Sequence, residues 1–290
     1  MNPLDFVRLS PVMKRTDGRS EVVVALIDGP VLLEHPQLSN RNIRTVDTNG
    51  QSTCLRATSI ACRHGTFVAG ILSAKRGSGA PAICPGCTLL VRPIFLENAV
   101  GGSQIPSATP EQLADAIIEA VDAHADVLNL SIGLVRASAK AELRLQGALD
   151  YAAKRGVIPV VAAGNQGTIT SSVLTRHPWV IPVAACDLLG RPTTGSNLGS
   201  SISRRGLSAP GQNITSLETG ENPQSIQGTS AAAPFVTGAI ALLWSEFPAA
   251  SADEIRFAMR RAGERRSTVV PPVLDAWTAY QALVPIHKKR

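Results

Sequence analysis

The chain alternates between short apolar runs and longer segments in which apolar residues recur with helical spacing. Residues 21–27 (EVVVALI) are almost continuously apolar and rich in β-branched side chains, which is typical of a strand buried on both faces of a parallel sheet. Further strands are predicted over 88–93, 125–132, 157–163 and 180–185. Helices are predicted over 110–123, 139–155, 228–246 and 251–262, with Thr109 as the expected N-cap ahead of Pro110.

This order of elements predicts a three-layer α/β fold, in which a mostly parallel central sheet carries helices on both faces. A length of 290 residues suits one large α/β domain, and a hydrophobic content of 44% can fill a large core. No internal repeat or linker divides the sequence. We therefore interpret residues 21–290 as a single domain and residues 1–20 as a surface arm.

Charge and the length of apolar runs argue against several classes of function. The formal net charge of +6 is modest and only 4% of residues are aromatic, whereas nucleic-acid binding favours a dense basic stripe with interleaved aromatics. No apolar run is long enough to span a membrane, and no signal-peptide pattern opens the chain. We expect a cytoplasmic protein, a monomer or weak oligomer, that binds neither nucleic acid nor membrane.

Five cysteines raise the question of crosslinks and metal binding. Cys54 and Cys62 lie eight positions apart, Cys84 and Cys87 form a C-x-x-C motif, and Cys186 stands in an apolar run as a small buried residue. Without export, free thiols are expected. Two alternatives stay open, namely local disulfides within the first two pairs, or a zinc site for which only one pair has ligand spacing.

Three short motifs carry side chains that could react together. Asp28 directly follows the first buried strand, and His64 enters an apolar helical segment. Residues 228–234 (GTSAAAP) put Ser230 at the start of another helix. Taken singly, these residues have ordinary interpretations as a turn residue, a capping or core histidine and an N-cap. Their combination indicates nucleophilic catalysis.

The three residue types suit one reaction because each supplies what another lacks. A serine hydroxyl is a weak nucleophile until a base takes its proton, and histidine can be that base near neutral pH. A buried carboxylate fixes the imidazole tautomer and stabilises the imidazolium. The free N–H groups and dipole at a helix start favour developing negative charge. We therefore predict Asp28, His64 and Ser230 as catalytic residues.

These motifs resemble those of the subtilisin (subtilase) family, over about residues 20–262. Residues 228–234 match the family's serine signature G-T-S-x-A-x-P, and residues 64–70 (HGTFVAG) match its histidine signature H-G-T-x-V-A-G. The aspartate motif, usually D-T-G or D-S-G, departs from the pattern and reads Asp28-Gly29-Pro30, one residue shorter. The resemblance implies a subtilisin-like fold and a serine endopeptidase that forms an acyl-enzyme.

The resemblance also implies further site residues. Asn165, in the sequence AAGN at 162–165, would donate its side-chain amide to the oxyanion, together with the backbone N–H of Ser230. An extended peptide or protein substrate would lie between two edges of the site as an added strand. The residues implied in substrate binding are Leu130, Ser131, Ile132, Gly133, Ala163, Gly164, Gly101 and Gly102.

No metal or other cofactor is expected. Many family members bind calcium in the loop after the histidine helix, which here reads KRGSG at 75–79. Calcium requires clustered oxygen ligands, so the two cations Lys75 and Arg76 disfavour such a site.

Residues 79–95 and the Asp-Gly-Pro turn further resemble subtilisin-like proteases that mature ribosomal peptides, such as the cyanobactin proteases. Those enzymes remove leader or follower segments, and some relatives join the ends into a macrocycle. The macrocyclising relatives carry a helical insertion near the active site, which is absent between His64 and the next predicted strand. We predict hydrolysis, including that of a precursor's leader. A transpeptidase or macrocyclase and a catalytically silent peptide-binding module stay open as alternatives.

Overall fold

The computed structural model describes residues 2–38, 42–46, 53–95, 97, 108–131, 138–220, 222–261 and 268–287. Its strands are β1 (Val23–Asp28), β2 (Ile43–Thr45), β3 (Thr88–Pro93), β4 (Val127–Leu130), β5 (Ile158–Ala162), β6 (Ile181–Cys186), β7 (Leu207–Pro210), β8 (Ile214–Ser216) and β9 (Gln224–Ile226). Among the described residues, the first seven strands form one parallel sheet in the order β2-β3-β1-β4-β5-β6-β7. The short β8 and β9 pair with each other in antiparallel orientation.

The helices connect and cover these strands. They are α1 (Pro3–Phe6), α2 (Ser10–Met13), α3 (Ile60–Ser73), α4 (Pro110–Asp122), α5 (Ala139–Lys154), α6 (Val173–Arg176), α7 (Ser200–Arg205), α8 (Thr229–Glu246), α9 (Ala252–Arg261) and α10 (Ala276–His287). Helix α4 begins as the sequence predicts. Thr109 Oγ1 accepts from the N–H of Gln112 at 3.2 Å, and the Gln112 side chain accepts from the N–H of Thr109 at 2.8 Å, which completes a capping box.

Apart from its edge strand β2, the sheet is largely buried on both faces, and β1 shows how its side chains divide between them. Val24 and Leu26 point into a core shared with α3 and α8, whereas Ala25 and Ile27 point into a second core shared with α4 and α5. Successive side chains of a strand point to opposite faces, so a strand between two helical layers must be apolar throughout. The predicted three-layer α/β fold is confirmed.

The first twenty residues are packed more closely than a surface arm. Val7, Leu9 and Val12 are fully buried and join the core on the α8 side of the sheet. Arg8 pairs with Asp275 at 2.8 Å, beside the start of α10. The expectation of an arm is corrected on this point, because α1 and α2 are too short to show a helical period in the sequence.

The expectation of free thiols holds for three of the five cysteines, and the other two form a disulfide. Cys54 and Cys62 form a disulfide with their Cα atoms 5.6 Å apart, inside the range that such bonds span. This corrects the expectation for that pair and removes both sulfurs from any zinc site. Cys84, Cys87 and Cys186 are free, as expected, and all three are buried, which was expected for Cys186. Reasoning from cellular compartment alone could not detect that the chain folds Cys54 back onto α3.

None of the helices within the described residues is both long enough and apolar enough to cross a membrane.

Candidate active site

The candidate catalytic residues gather at one edge of the sheet. Asp28 ends β1, Ser131 directly follows β4, and Asn165 lies three residues beyond the end of β5. The parallel register pairs Ile27 with Leu130, so Asp28 and Ser131 are the next residues on two adjacent strands. Adjacent strands lie about 4.8 Å apart. The chain order of the sheet reverses beside β1, and such switch points at the carboxyl ends of strands are common ligand sites.

Asp28 and His64 form a hydrogen-bonded pair in this site. Asp28 Oδ1 lies 2.7 Å from His64 Nδ1 and accepts from the N–H of Gly29 at 2.6 Å. The carboxylate is fully buried, and its Oδ2 has no hydrogen-bond partner among the described residues. The His64 side chain is 24% exposed. Burial lowers the pKa of His64, but the charge and hydrogen bond of Asp28 raise it more, so the pKa is raised overall from its ordinary value of 6.5.

Two glycines bring this pair together. A Cβ atom on Gly29 would overlap the carbonyl oxygen of Ala61 in α3. A Cβ atom on Gly65 would overlap the carbonyl oxygens of Gly29 and Pro30. The main chain after β1 therefore touches the main chain of α3 directly, and this contact explains why a glycine follows both Asp28 and His64. His64 lies in the second turn of α3, which begins earlier than the sequence predicted.

The start of α3 is fixed by a cap and a crosslink. Ser59 is the N-cap, and its Oγ accepts from the N–H of Cys62 at 3.1 Å and donates to Glu97 Oε1 at 2.7 Å. Glu97 Oε2 also accepts from the N–H of Leu55 at 2.7 Å. The disulfide joins Cys62, two residues before His64, to the same loop. The histidine is thus carried by a helix whose first turn is covalently held.

Ser230 is the second residue of α8 and is half-buried. The helix starts after Gly228, whose φ of 129° is a backbone conformation that other residues rarely adopt, and a Cβ there would press on the Asn165 side chain. The N–H groups of Ala231 and Ala232 bond to the carbonyl of Gly228. The N–H of Ser230 has no hydrogen-bond partner among the described residues. It is therefore an open donor at the positive end of a helix of 18 residues.

Asn165 is tied to the same helix start. Its Oδ1 accepts from the N–H of Thr229 at 2.8 Å and from Thr229 Oγ1 at 3.0 Å, and Thr229 Oγ1 also accepts from the N–H of Gly164 at 3.2 Å. With its oxygen held in this way, Asn165 has its amide nitrogen left to donate, and that nitrogen has no partner within the described part of the chain. The site therefore offers two open N–H donors, from Asn165 and Ser230.

A buried polar network, which the sequence did not predict, connects α8 and β4 and ends at the carbonyl oxygen of Ser230. Thr237 Oγ1 lies 2.8 Å from Asn129 Oδ1, Asn129 Nδ2 donates to Ser131 Oγ at 2.9 Å, and Ser131 Oγ donates to the carbonyl oxygen of Ser230 at 3.2 Å. Asn129 and Thr237 are fully buried, and Ser131 is 6% exposed. The available signal was an asparagine inside the apolar strand β4, since a buried polar group requires partners.

The residues implied in substrate binding differ in where the structure places them, and some lie outside the described residues. Leu130 is a buried core residue of β4, and Ser131 faces the start of α8. The N–H of Ala163 donates to the carbonyl of Val183, and the carbonyl of Gly164 accepts from the N–H of Asn197, so part of this backbone is used within the fold. Ile132, Gly133, Gly101 and Gly102 lie outside the described residues.

The loop after α3 is organised by an arginine. Arg76 donates to the carbonyl oxygens of Met13, Thr16 and Ile83 and pairs with Asp17 at 2.6 Å. A cation in this position competes with a bound metal for the same oxygens. The expectation that this loop does not bind calcium stays a prediction.

Comparison with known proteins gives concordant similarities. The family described as the subtilase family (Peptidase_S8) matches residues 19–272. The chain is 34% identical to the thermophilic serine proteinase of Bacillus sp. (strain AK1) over 236 residues, which cover 80% of this chain and 54% of that protein. Against the thermostable alkaline protease of Halalkalibacterium halodurans, identity is 32% over 67% of this chain and 50% of that protein. The chain spans about half the length of these two curated relatives.

Solved structures extend the similarity. A mutant of the protease domain of PatA superposes with a TM-score of 0.83 at 28% identity, covering 92% of this chain and 97% of that one. The prenylagaramide maturation protease PagA superposes with a TM-score of 0.81 at 25% identity, covering 95% and 98%. The macrocyclase domain of PatG, at 18% identity, shares the fold with a TM-score of 0.82. The predicted resemblance to peptide-maturing subtilisin-like proteases is confirmed.

Proposed function

Because the chain belongs to the subtilase family, we propose that it is a serine endopeptidase in which Ser230 attacks the peptide bond, His64 moves the proton and Asp28 orients His64. The observation that carries this proposal is the buried 2.7 Å contact between Asp28 Oδ1 and His64 Nδ1 at the sheet edge where Ser230 also lies. This contact would supply the acid–base half of the proposed triad.

The contact determines which nitrogen of His64 acts as the base. Asp28 accepts through Oδ1, so the proton of the neutral ring resides on Nδ1 and the lone pair on Nε2. Nε2 is then free to take the proton of the Ser230 hydroxyl. Asp28 stabilises the imidazolium that results, and the burial of its carboxylate strengthens that interaction.

The reaction proceeds in two halves. Ser230 Oγ adds to the peptide carbonyl while Nε2 takes its proton, and the negative charge develops on the carbonyl oxygen. The Asn165 amide and the N–H of Ser230 donate to this oxyanion. The C–N bond then breaks, the amine leaves with the proton from Nε2, and an acyl ester remains on Ser230. Water, activated by the same nitrogen, hydrolyses the ester.

We propose that the substrate is an extended peptide, which lies along an edge of the site that includes Ser131. We also assign Ala163 and Gly164 to substrate binding, and because their backbone N–H and C=O groups bond within the fold, they would contact the peptide by packing. The names of PatA and PagA as maturation proteases support a peptide precursor as the substrate. No step of this mechanism requires a metal or cofactor.

The test is covalent labelling by a small fluorophosphonate, followed by mapping of the modified residue. We expect one label on Ser230 in the wild type and none in Ser230→Ala, with both proteins folded. Ser201→Ala is a matched control, because Ser201 is likewise the second residue of a helix that starts after a glycine. It should keep both labelling and hydrolysis. A folded wild type that is not labelled at Ser230 would contradict the proposal.

A second measurement separates hydrolysis from transpeptidation. Peptide substrates are digested with and without an added amine, and the products are read by mass spectrometry. Hydrolysis gives products that together contain one added water, whereas capture of the acyl-enzyme by the added amine gives an acyl product with the mass of the hydrolytic acyl product plus the amine minus one water. We expect the hydrolytic products to dominate.

A further inference from the structure

Helix α8 contains a proline in its second turn, and this proline leaves a gap in the hydrogen bonding of Ser230. In an α-helix, each N–H donates to the carbonyl four residues earlier. Pro234 lies inside α8 and has no N–H, so the carbonyl oxygen of Ser230 cannot receive its usual helical bond. The carbonyl that loses its partner belongs to the proposed nucleophile.

Ser131 supplies a replacement donor from outside the helix. Its Oγ lies 3.2 Å from the carbonyl oxygen of Ser230. Ser131 directly follows β4, the strand beside β1, so the new bond ties the first turn of α8 to the strand that neighbours Asp28. Because β4 belongs to the central sheet, its position is fixed by parallel pairing on both sides.

The direction of this bond is set by two further residues. Thr237 Oγ1 lies 2.8 Å from the amide oxygen of Asn129 and 3.3 Å from the carbonyl oxygen of Ala233, so its hydrogen goes to the nearer Asn129 oxygen. This bond turns the amide nitrogen of Asn129 toward Ser131. That nitrogen donates to Ser131 Oγ, so the single hydrogen of the Ser131 hydroxyl is left for the carbonyl of Ser230. The network starts on α8 at Thr237, crosses β4 and returns to α8 at Ser230.

Because this network is buried, each of its hydrogen bonds is needed to satisfy the polar groups that it joins. Asn129 and Thr237 have no exposure to solvent, and Ser131 is 6% exposed, so water cannot easily take the place of a lost partner. An unsatisfied buried polar group destabilises its local conformation. A helix that contained a residue with an N–H at position 234 would not need this arrangement.

We propose that Ser131 is a positioning residue, whose hydroxyl takes the place of the N–H that Pro234 lacks and thereby holds Ser230 in register with His64 and the oxyanion donors. The inference rests on the proposed function of Ser230. It gives Ser131 a role through its side chain, separate from any contact that its backbone makes with a substrate.

The proposal is tested by a double-mutant cycle with Ser131→Ala and Pro234→Ala. The readouts are the second-order rate constant for labelling of Ser230 by a small fluorophosphonate without a peptide part, and kcat and KM for a peptide. Ser131→Ala should lower the labelling rate and kcat by about tenfold with little change in KM, since one hydrogen bond near the nucleophile is lost.

Pro234→Ala supplies the key comparison, because its new N–H can donate to the carbonyl of Ser230. In the Pro234→Ala background, Ser131→Ala should lower the labelling rate constant and kcat by less than about threefold. Thr237→Val, which removes the first donor of the network, should likewise slow labelling when Pro234 is present and have little effect in the Pro234→Ala background. Ser245→Ala is the control, because Ser245 is also buried, bonds to the carbonyl of Ala241 at 2.8 Å and lies at the far end of α8.

Each outcome decides one question. Equal losses from Ser131→Ala in both backgrounds, or an unchanged labelling rate, would overturn the positioning role. A loss of thermal stability alone, of the kind expected for Ser245→Ala, would assign Ser131 a structural role only and also overturn it. A wild type that is not labelled at Ser230 would instead overturn the proposed function.

Discussion

The two sides of the candidate active site are held by different forces. On one side, Asp28 and His64 are joined by a buried charge and a 2.7 Å contact, on a helix that is crosslinked through Cys62. On the other side, the hydrogen bonds that hold Asn165 and Ser230 among the described residues are neutral ones, to Thr229 and Ser131 respectively. The histidine side can therefore respond to pH and to reductant, whereas the serine side should respond to neither. The following experiments test this difference.

The largest effect is expected from Asp28→Asn on the histidine side. An amide cannot stabilise the imidazolium, and it can hold the ring in the wrong tautomer, so kcat for peptide hydrolysis should fall by about 10⁴-fold, as in other serine proteases. The side chain keeps its shape, so circular dichroism should report a folded protein. A loss of less than about tenfold would remove Asp28 from its proposed role.

On the serine side, Asn165→Ala should lower kcat by about 10²–10³-fold with little change in KM, since the oxyanion exists only along the reaction path. This range is the one known for the equivalent asparagine in a subtilisin. Thr229→Val is the matched comparison, because it removes one of the two anchors of Asn165 but keeps its amide. Its effect should be smaller. If both variants lost activity equally, the anchor rather than the amide would carry the effect.

The crosslink gives a third contrast. Replacing both Cys54 and Cys62 by alanine should lower the free energy of unfolding by about 2 kcal/mol, because a short loop is no longer closed in the unfolded chain. Cys84→Ala, at a free cysteine, serves as the control. Chemical denaturation with and without reductant measures both. If reductant left the wild-type midpoint unchanged, the disulfide would not contribute to stability.

The smallest effect concerns pH. The pKa of His64 is raised, so the Asp28–His64⁺ pair stabilises the fold fully below the ordinary pKa of 6.5, and this contribution is lost as pH rises through the folded value. Activity requires neutral His64, so kcat/KM should rise over the same interval, with a midpoint above 6.5. The midpoint in Asn165→Ala should be unchanged. A wild-type midpoint below 6.5 would contradict the pairing.

The sequence predicted those features that repeat locally. Strand β1 is recognisable because both of its faces are buried, and α4 because Thr109 and Pro110 mark its start. The three motifs also pointed to Asp28, His64 and Ser230, and family membership confirms the type of protein.

Contacts between distant segments that no motif marks could not be predicted. The Asp28–His64 contact was expected from the motifs, whereas the network from Thr237 to Ser131 arises from packing between α8 and β4 and was not. The burial of Val7 and Leu9 was missed because α1 and α2 are only four residues long. The three-residue strands β8 and β9 were missed for the same reason.

Gly29 and Gly65 let two main-chain segments touch, so the spacing of the acid and the base is set by the peptide backbone itself. Side-chain repacking elsewhere in the core should leave that spacing almost unaltered. Directed evolution toward a new cleavage preference can then vary the proposed substrate-binding residues while the Asp28–His64 pair persists. A library that also randomised positions 29 and 65 would consist largely of inactive members, because every other amino acid adds a Cβ where none fits.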